Sequence, residues 1–238
     1  MTLDIENCMQ TKLIDNKSVK IDTNFTNTRR TEALTSNHIV TPTMTNTPES
    51  VTDAVPAANQ ISTLTECLPT LILVRHCESM FNSSENIHSL DVGLSKKGRR
   101  QARKLNAYPN VKLIICSPLL RCRQTLRLSM LALNAQCENN ILFSELCREH
   151  RTDRCDFLKG ENIVNESEKM FLKRVQAFKK WVRREWKNRG AAQKVGEKWL
   201  VVTHADFIFY LTSKVEYGER FGKWLKNGEA LEWTIFPD

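Results

Sequence analysis

Three apolar runs in this chain each end on residues suited to holding an anion, and this repeated arrangement constrains the fold more than any other feature. The runs cover 71–74, 111–116 and 199–202, and they lead into Arg75-His76, Arg121 and His204, respectively. Short apolar runs bounded by turn residues are typical of buried strands. Because ligands of an open α/β sheet bind outside the carboxyl ends of its strands, the pattern predicts two histidines and two arginines around one crevice. We interpret that crevice as the outline of a phosphoryl-transfer site.

The chain divides by composition into an extension and a domain. Residues 1–68 are rich in Thr, Asn and Ser and show no apolar periodicity, so we expect a disordered extension there. All five Trp residues lie beyond residue 68. The stretch 69–238 is long enough to form one domain with its own core, and we expect it to carry the activity.

Targeting signals and cysteine usage predict a soluble, cytoplasmic protein. No basic stretch precedes an apolar run of signal-peptide length, and no apolar run approaches the roughly 20 residues that a membrane span requires. The eight Cys residues include no CxxC pair, which favours reduced thiols over disulfides or a zinc site. We expect neither a metal nor another cofactor.

The net charge of +8 is concentrated in two stretches, 96–104 and 173–189. The second overlaps a helical repeat of apolar residues at Phe171, Val175, Phe178 and Val182, which predicts an amphipathic helix with a solvated basic face. The alternative of a nucleic-acid or anionic-membrane surface is disfavoured, because the chain has no zinc-finger, RNP-type or KH-type pattern. Positive potential would also gather a small phosphorylated substrate. The oligomeric state is left open.

Apolar periodicity predicts alternating strands and helices across the domain. The predicted strands cover 71–75, 111–116, 141–146, 198–203 and 230–236. The predicted helices cover 95–105, 121–135, 167–188 and 206–212, with Ser95 and Asp206 as caps. Residues 150–165 are predicted to be irregular. The alternation indicates an α/β fold, a three-layer α/β/α sandwich with a mostly parallel sheet.

The residues after the first two strands suit phosphate binding. A lone histidine at the end of a buried strand is more often a core residue. At His76, however, the neighbouring Arg75 offers a planar fork that meets phosphate oxygens in pairs, and Asn82 can donate a hydrogen bond from the following loop. Arg121 opposes the dipole of the helix that it begins, unless an anion is bound close by.

Five motifs follow one another along the domain. They are Arg75-His76-x-Glu78-Ser79-x-x-Asn82, Asp91-x-x-Leu94-Ser95-x-x-Gly98-x-x-Gln101-Ala102, Ser117-Pro118-Leu119-x-Arg121-Cys122-x-Gln124-Thr125, Glu166-Ser167 ahead of Arg174, and Val202-Thr203-His204. The set resembles the successive signatures of the histidine phosphatase superfamily, in its phosphoglycerate mutase-like branch. The resemblance covers essentially all of 70–238. The first motif alone is a weak signal, whereas the ordered set is a specific one.

The resemblance implies a role for each matching residue. His76 would take the phosphoryl group on a ring nitrogen. That group would be surrounded by Arg75, Arg121 and His204, with a further contact from Asn82. The segment Leu146-Cys147-Arg148-Glu149-His150 resembles the family's Leu-x-Glu segment, which makes Glu149 the proton donor and leaves Glu145 as the alternative.

This assignment makes chemical demands on two side chains. His76 must be neutral to attack, so we expect a backbone carbonyl or a carboxylate to bond its other nitrogen and fix the tautomer. Glu149 must begin protonated, so we expect partial burial to raise its pKa. Two guanidinium groups and an imidazole can stabilise the charge of a loose phosphoryl transition state without a metal.

We therefore expect a metal-independent phosphatase that hydrolyses phosphomonoesters through a phosphohistidine. Two alternatives stay open: a phosphoglycerate mutase-type phosphotransferase, which needs a longer covering insertion, and a catalytically impaired phosphate-binding or scaffold domain. The scaffold reading rests on Cys77, which stands where the family usually has Gly.

Two further hypotheses concern residues around the site. Cys77, beside Arg75, could carry a low-pKa thiol that is open to oxidation. Substrate selectivity is expected to lie in the loop 80–93, the segment 150–165 and residues 227–229, where a second acidic group could be accepted by Arg148, Arg151 and Arg154.

Overall fold

A five-stranded sheet lies at the centre of the residues that the computed structural model describes, which are 68–132, 140–190 and 196–236. Its strands are β1 (Thr70–Arg75), β2 (Val111–Cys116), β3 (Ile141–Phe143), β4 (Lys198–Thr203) and β7 (Ala230–Thr234), whereas β5 (Lys214–Glu216) and β6 (Glu219–Phe221) form a separate antiparallel pair. The order across the sheet is β3-β2-β4-β1-β7. All neighbours are parallel except β7, which runs antiparallel to β1.

Within the same described residues, four helices and two short 3₁₀ turns connect the strands. The helices are α1 (Lys96–Ala102), α2 (Leu120–Leu128), α3 (Glu168–Gly190) and α4 (Ala205–Thr212), and the 3₁₀ turns are Glu145–Cys147 and Arg154–Asp156. As predicted, Ser95 caps α1, because its hydroxyl accepts a hydrogen bond from the Gly98 N–H at 2.9 Å. The segment 150–165 is otherwise irregular.

The helices cover both faces of the sheet, which confirms the three-layer α/β/α architecture. On one face, alternate strand residues such as Leu73 and Val201 pack against the apolar sides of α3 and α4. On the other face, Val74, Ile114 and Val202 pack against α2. Strands buried on both faces have nearly continuous apolar sequences, and this is why β1, β2 and β4 were evident as apolar runs.

Several predicted boundaries are wrong, and local hydrogen bonds explain two of them. The strand expected over 141–146 ends at Phe143, because the Ser144 hydroxyl accepts from the Leu146 N–H at 3.3 Å and begins a 3₁₀ turn. The helix expected to reach residue 135 ends at Leu128, where Ser129 bonds back to the Leu126 carbonyl at 3.0 Å. The helix expected over 95–105 ends at Ala102, and the last strand ends at Thr234.

Two features of the C-terminal region were not predicted. The strands β5 and β6 form a hairpin whose turn, Tyr217-Gly218, has φ values of 51° and 83°. Asp206 does not cap α4: His204 occupies the N-cap position, and Asp206 lies inside the first turn. The aspartate was favoured as a cap because its residue type suits that position, but the helix begins one residue earlier than the pattern suggested.

The extension expected over 1–68 lies, apart from Leu68, outside the described residues. None of the helices within 68–132, 140–190 and 196–236 is long and apolar enough to cross a membrane.

Candidate functional site

Two histidines meet at the carboxyl ends of the adjacent parallel strands β1 and β4. Arg75 and Thr203 are in register, so His76 and His204 each follow a matched strand position. The His76 N–H donates to the Thr203 carbonyl at 2.9 Å, which extends the ladder by one bond. The two rings lie with their centroids 5.1 Å apart in an edge-on arrangement, and both residues are buried. The two histidines expected at one crevice are therefore adjacent at this edge of the sheet.

A backbone carbonyl sets the tautomer of His76. The ring Nδ1 lies 2.7 Å from the Cys77 carbonyl oxygen, and a carbonyl can only accept, so Nδ1 carries the proton. Nε2 is left with its lone pair. Burial lowers the pKa of His76 well below its ordinary value, and the positive charges of Arg121 and Arg75 lower it further. The ring is accordingly neutral at physiological pH.

One nitrogen of the Arg75 guanidinium group is hydrogen-bonded within the protein, and another is not. Its Nη1 donates to the Leu225 carbonyl at 2.7 Å, whereas its buried Nε has no hydrogen-bond partner among the described residues. Burial lowers the pKa of Arg75, and the nearby negative charges of Glu149 and Asp206 oppose that effect. Buried donors in proteins are nearly always paired, so this Nε is suited to an anion that arrives from outside.

Arg121 is held by the segment between β3 and α3. Its Nη1 donates to the Cys155 carbonyl at 2.7 Å and its Nη2 to Asp156 Oδ1 at 2.9 Å. The pair is buried, with side chains 3% and 6% exposed. Asp156 was not identified as a functional residue from the sequence. Its only signal was the Cys155-Asp156 pair in a segment rich in arginine, which does not reveal that it pairs with Arg121.

His204 has two contacts from the loop and helix that follow β2. Its Nε2 lies 2.8 Å from Ser117 Oγ and 3.3 Å from Cys122 Sγ. Burial and the charge of Arg121 lower its pKa well below the ordinary histidine value. Ser117 was part of a motif, but its contact with the second histidine could not be read from the sequence.

Glu149 lies beside the first turn of α4. Its Oε1 accepts from the Phe207 N–H at 3.3 Å and from the His150 N–H at 3.2 Å. Burial raises its pKa to about 8, and the negative charges of Asp206 and Asp156 add to that rise, while Arg121 opposes it. The pKa of Asp206 is raised as well, chiefly by burial.

Glu145, the alternative proton donor, forms an ion pair with Arg148. Its carboxylate accepts from Arg148 Nη1 at 2.7 Å and is 39% exposed. Glu149, in contrast, is in the electrostatic environment of Arg75 and Arg121. Of the two candidates, Glu149 is therefore the one that interacts with the two arginines of the site.

Asn82 is linked to the histidine through a second asparagine. Its Oδ1 accepts from Ser79 Oγ at 2.9 Å and from Asn227 Nδ2 at 3.3 Å, and the same Nδ2 donates to the His76 carbonyl at 3.1 Å. Asn82 is exposed at the rim of the site. Asn227 was noted only as part of a possible selectivity segment, and the structure adds it to the surroundings of His76.

The side chain of Cys77 lies in the protein interior. It is fully buried and packs with Leu94 and Ala102, and its N–H donates to Thr125 Oγ1 at 3.0 Å. Its backbone is outside the left-handed region, so a side chain is accommodated without strain. Burial raises the pKa of the thiol to about 11. The hypothesis of a low-pKa thiol is wrong.

The three arginines expected to accept a second acidic group differ in their availability. Arg148 is buried and bonded to Glu145 and Glu161, and Arg151 pairs with Glu161 and Glu166. Internal carboxylates therefore occupy both. Arg154 is exposed.

Comparison with known proteins agrees with this architecture. Residues 71–229 match the model of the histidine phosphatase superfamily (branch 1), which covers well over half of the chain. No curated protein sequence matches the chain.

Several solved structures are similar to this chain at low sequence identity. The ecdysone phosphate phosphatase from Bombix mori, in complex with tungstate, is 13% identical over 71% of this chain and 92% of its own, with a TM-score of 0.50. The α-ribazole phosphatase from Shigella flexneri is 15% identical over 66% and 95% of the two chains, with a TM-score of 0.43. A mycobacterial glucosyl-3-phosphoglycerate phosphatase is 18% identical over 60% and 78%, also with a TM-score of 0.43.

The ordered motifs, the three-layer fold and the match over 71–229 lead to one conclusion: the chain belongs to the histidine phosphatase superfamily, branch 1.

Proposed function

We propose that the protein is a metal-independent phosphatase that hydrolyses small phosphomonoesters through a phosphohistidine on His76. The observation that carries this proposal is the 2.7 Å hydrogen bond between His76 Nδ1 and the Cys77 carbonyl. It leaves Nε2 unprotonated, in a ring whose pKa is lowered by burial. An orientated, neutral imidazole is the form that attacks phosphorus.

In the first step, His76 Nε2 attacks the phosphorus atom and the ester P–O bond breaks. Glu149, protonated because its pKa is raised to about 8, gives its proton to the leaving oxygen. The product alcohol departs, and the phosphoryl group stays on the imidazole. General acid assistance of this kind typically contributes about 10²–10⁴ in rate.

In the second step, water attacks the phosphohistidine while the Glu149 carboxylate takes its proton. The P–N bond breaks, inorganic phosphate leaves, and both side chains return to their starting states. Microscopic reversibility gives one carboxyl group both roles, because the water takes the place of the leaving alcohol.

The remaining residues would stabilise the transferred group. The transition state spreads negative charge over three equatorial oxygens, so fixed cations and donors suit it. Arg75 would use its unpaired Nε, and Arg121, held by Asp156, would use the N–H groups that its bonds to Cys155 and Asp156 leave. His204, 5.1 Å from His76, and Asn82 at the rim would add contacts.

The test is hydrolysis of an aryl phosphate by the full chain in the presence of a chelator, combined with trapping of the labelled protein in an alkaline denaturing quench. We expect an acid-labile, alkali-stable phosphoryl group on the peptide that contains His76, and loss of both label and turnover in His76→Ala. Arg75→Ala and Arg121→Ala should lower turnover strongly. Arg100→Ala, which removes an exposed arginine of α1, is the matched control and should retain it.

The outcomes separate the alternatives. Transfer of the label to an added phosphate-ester acceptor in preference to water would indicate a mutase-type phosphotransferase. Phosphate binding without any label on His76, across a broad panel of phosphomonoesters, would indicate a scaffold domain. Turnover that persists in His76→Ala would overturn the proposed nucleophile.

A further inference from the structure

A second cavity lies on the side of the helix α2 N-terminus. Its volume is about 940 Å³, and its walls come from the loop 80–93, from Leu120 and from the segment around Arg154 and Lys159. Ligand sites in proteins commonly have volumes of roughly 300–1,000 Å³. Much of the lining is apolar, with Met80, Ile87 and Leu120 among the contributors. The cavity is thus large enough for part of an organic molecule.

Two segments that line the cavity also carry residues of the histidine site. Leu120 immediately precedes Arg121, and the Leu120 N–H donates to Asp91 Oδ1 at 2.6 Å. The 3₁₀ turn that carries Arg154 also supplies the Cys155 carbonyl and the Asp156 carboxylate that hold Arg121. The loop that provides the other wall starts at His76. The cavity therefore shares two segments of the chain with the histidine site.

Two cationic side chains line the cavity, and neither forms an ion pair with a carboxylate of the described residues. Arg154 and Lys159 are exposed and line it. Of the acidic residues nearby, Asp153 pairs with His88 at 2.7 Å, and Asp91, which also lines the cavity, accepts a hydrogen bond from the Leu120 N–H. This contrasts with Arg148 and Arg151, which pair with Glu161. Two cations without a carboxylate partner on the wall of a largely apolar cavity favour an anionic group beside them.

We propose that this cavity binds a second anionic group of the substrate, through Arg154 and Lys159. The inference rests on the proposed function, because it takes the phosphate at His76 as the reacting end. The substrate class is then a phosphomonoester with an apolar body and a carboxylate or a second phosphate at its far end. The two anions share the same recognition chemistry, and the choice between them is left to the experiment.

The experiment compares phosphomonoesters that differ only at their far end. Alkyl phosphates of several spacer lengths would end in a hydroxyl, a carboxylate or a second phosphate, and kcat/KM would be measured with the full chain. For the spacer that spans the two sites, we expect about a tenfold preference for an anionic end over the hydroxyl. Added salt should reduce this preference because it screens exposed charges.

Variants then assign the preference to the two cations. The double variant Arg154→Ala/Lys159→Ala should remove most of the preference for an anionic end. The single variant Arg154→Lys keeps a cation at this position and should retain part of that preference. Lys169→Ala, which removes an exposed lysine of α3, should keep the full preference. A carboxylate advantage without a phosphate advantage, or the reverse, would identify the class of the second anion.

Two results would overturn the inference. One is equal kcat/KM for all three ends at every spacer length, and the other is a preference that survives in the double variant. If the protein hydrolyses none of these compounds, the affinity for the corresponding phosphonates can be measured by calorimetry instead. Tighter binding of the anion-ended phosphonates, lost in the double variant, would then support the cavity while the proposed catalysis fails.

Discussion

Asp156 holds the buried guanidinium of Arg121 with a 2.9 Å hydrogen bond, from a position 35 residues further along the chain. The same carboxylate accepts from the Asp153 N–H at 3.0 Å through its other oxygen. One side chain thus fixes a proposed phosphate-binding arginine and shapes the segment that lines the second cavity.

Replacing Asp156 should cost stability as well as activity. Asp156→Ala leaves the Arg121 charge buried and unpaired, and breaking one side of a buried pair typically costs about 3–5 kcal/mol. We expect a loss of that size in the free energy of unfolding, measured with urea. Glu232→Ala removes a carboxylate from the surface pair with Lys198, where Glu232 is 55% exposed, and should cost less than about 1 kcal/mol. Similar losses in both variants would contradict the structural role given to Asp156.

The raised pKa of Glu149 sets the upper pH limit of turnover. The proposed role in the first step requires the protonated carboxyl, so kcat/KM for an aryl phosphate should fall as pH rises through about 8. Glu149→Gln should lower kcat by about 10²–10³, as general acid catalysts do when removed, and should abolish this basic limb. An unchanged limb in the variant would assign it to another group.

Asp206 should tune that limb without being required for it. Its negative charge is the second contributor, after burial, to the raised pKa of Glu149. Asp206→Asn keeps the shape and removes the charge, so the midpoint of the basic limb should move to lower pH. The readout is the pH profile of kcat/KM. A midpoint that stays in place or rises would show that the two carboxyl groups do not interact.

Gly98 allows the loop after β1 to approach helix α1. A Cβ atom placed there would lie 1.9 Å from the Glu78 carbonyl oxygen, so the backbone would have to move. Alanine gains up to about 1 kcal/mol in helix propensity, whereas overpacking typically costs about 1–3 kcal/mol. We expect Gly98→Ala to lower the urea midpoint, while Arg99→Ala on the same helix changes it little. A higher midpoint for Gly98→Ala would mean that the close approach is relieved cheaply.

Cys77 should be unreactive in the folded protein. Its thiol is fully buried, and its pKa of about 11 leaves little thiolate at neutral pH. Alkylation with iodoacetamide, followed by mass spectrometry of the peptide, should modify Cys77 only after denaturant is added. Rapid modification in native buffer would show that the thiol is accessible and would revive the redox hypothesis.

The prediction of the fold succeeded where the local signal was strong. The apolar runs of β1, β2 and β4 and the repeat from Phe171 to Val182 were found because strands buried on both faces and amphipathic helices leave clear periodicities. Three of the errors fall at Ser129, Ser144 and Asp206, where a hydroxyl or carboxyl group can either cap a helix or make another contact. The hairpin β5–β6 is short and exposed, so it leaves no apolar pattern.

The candidate site was likewise predicted only in part. The structure brings together His76, His204, Arg75, Arg121 and Glu149, the set named from the motifs, and their catalytic roles stay predictions. The partners of those residues were not foreseeable, since Ser117 contacts His204 and Asp156 contacts Arg121 across long separations in the chain. Asn227 reaches the His76 carbonyl from 151 residues away.

The amino-acid order alone determined which residue types follow each buried strand, because strand burial and residue chemistry are both local properties. Only the tertiary structure decided the protonation states and the availability of charge. The tautomer of His76, the raised pKa of Glu149 and the difference between the paired Arg148 and the unpaired Arg154 all depend on burial and on neighbours distant in the chain, since desolvation and Coulomb interactions act through space.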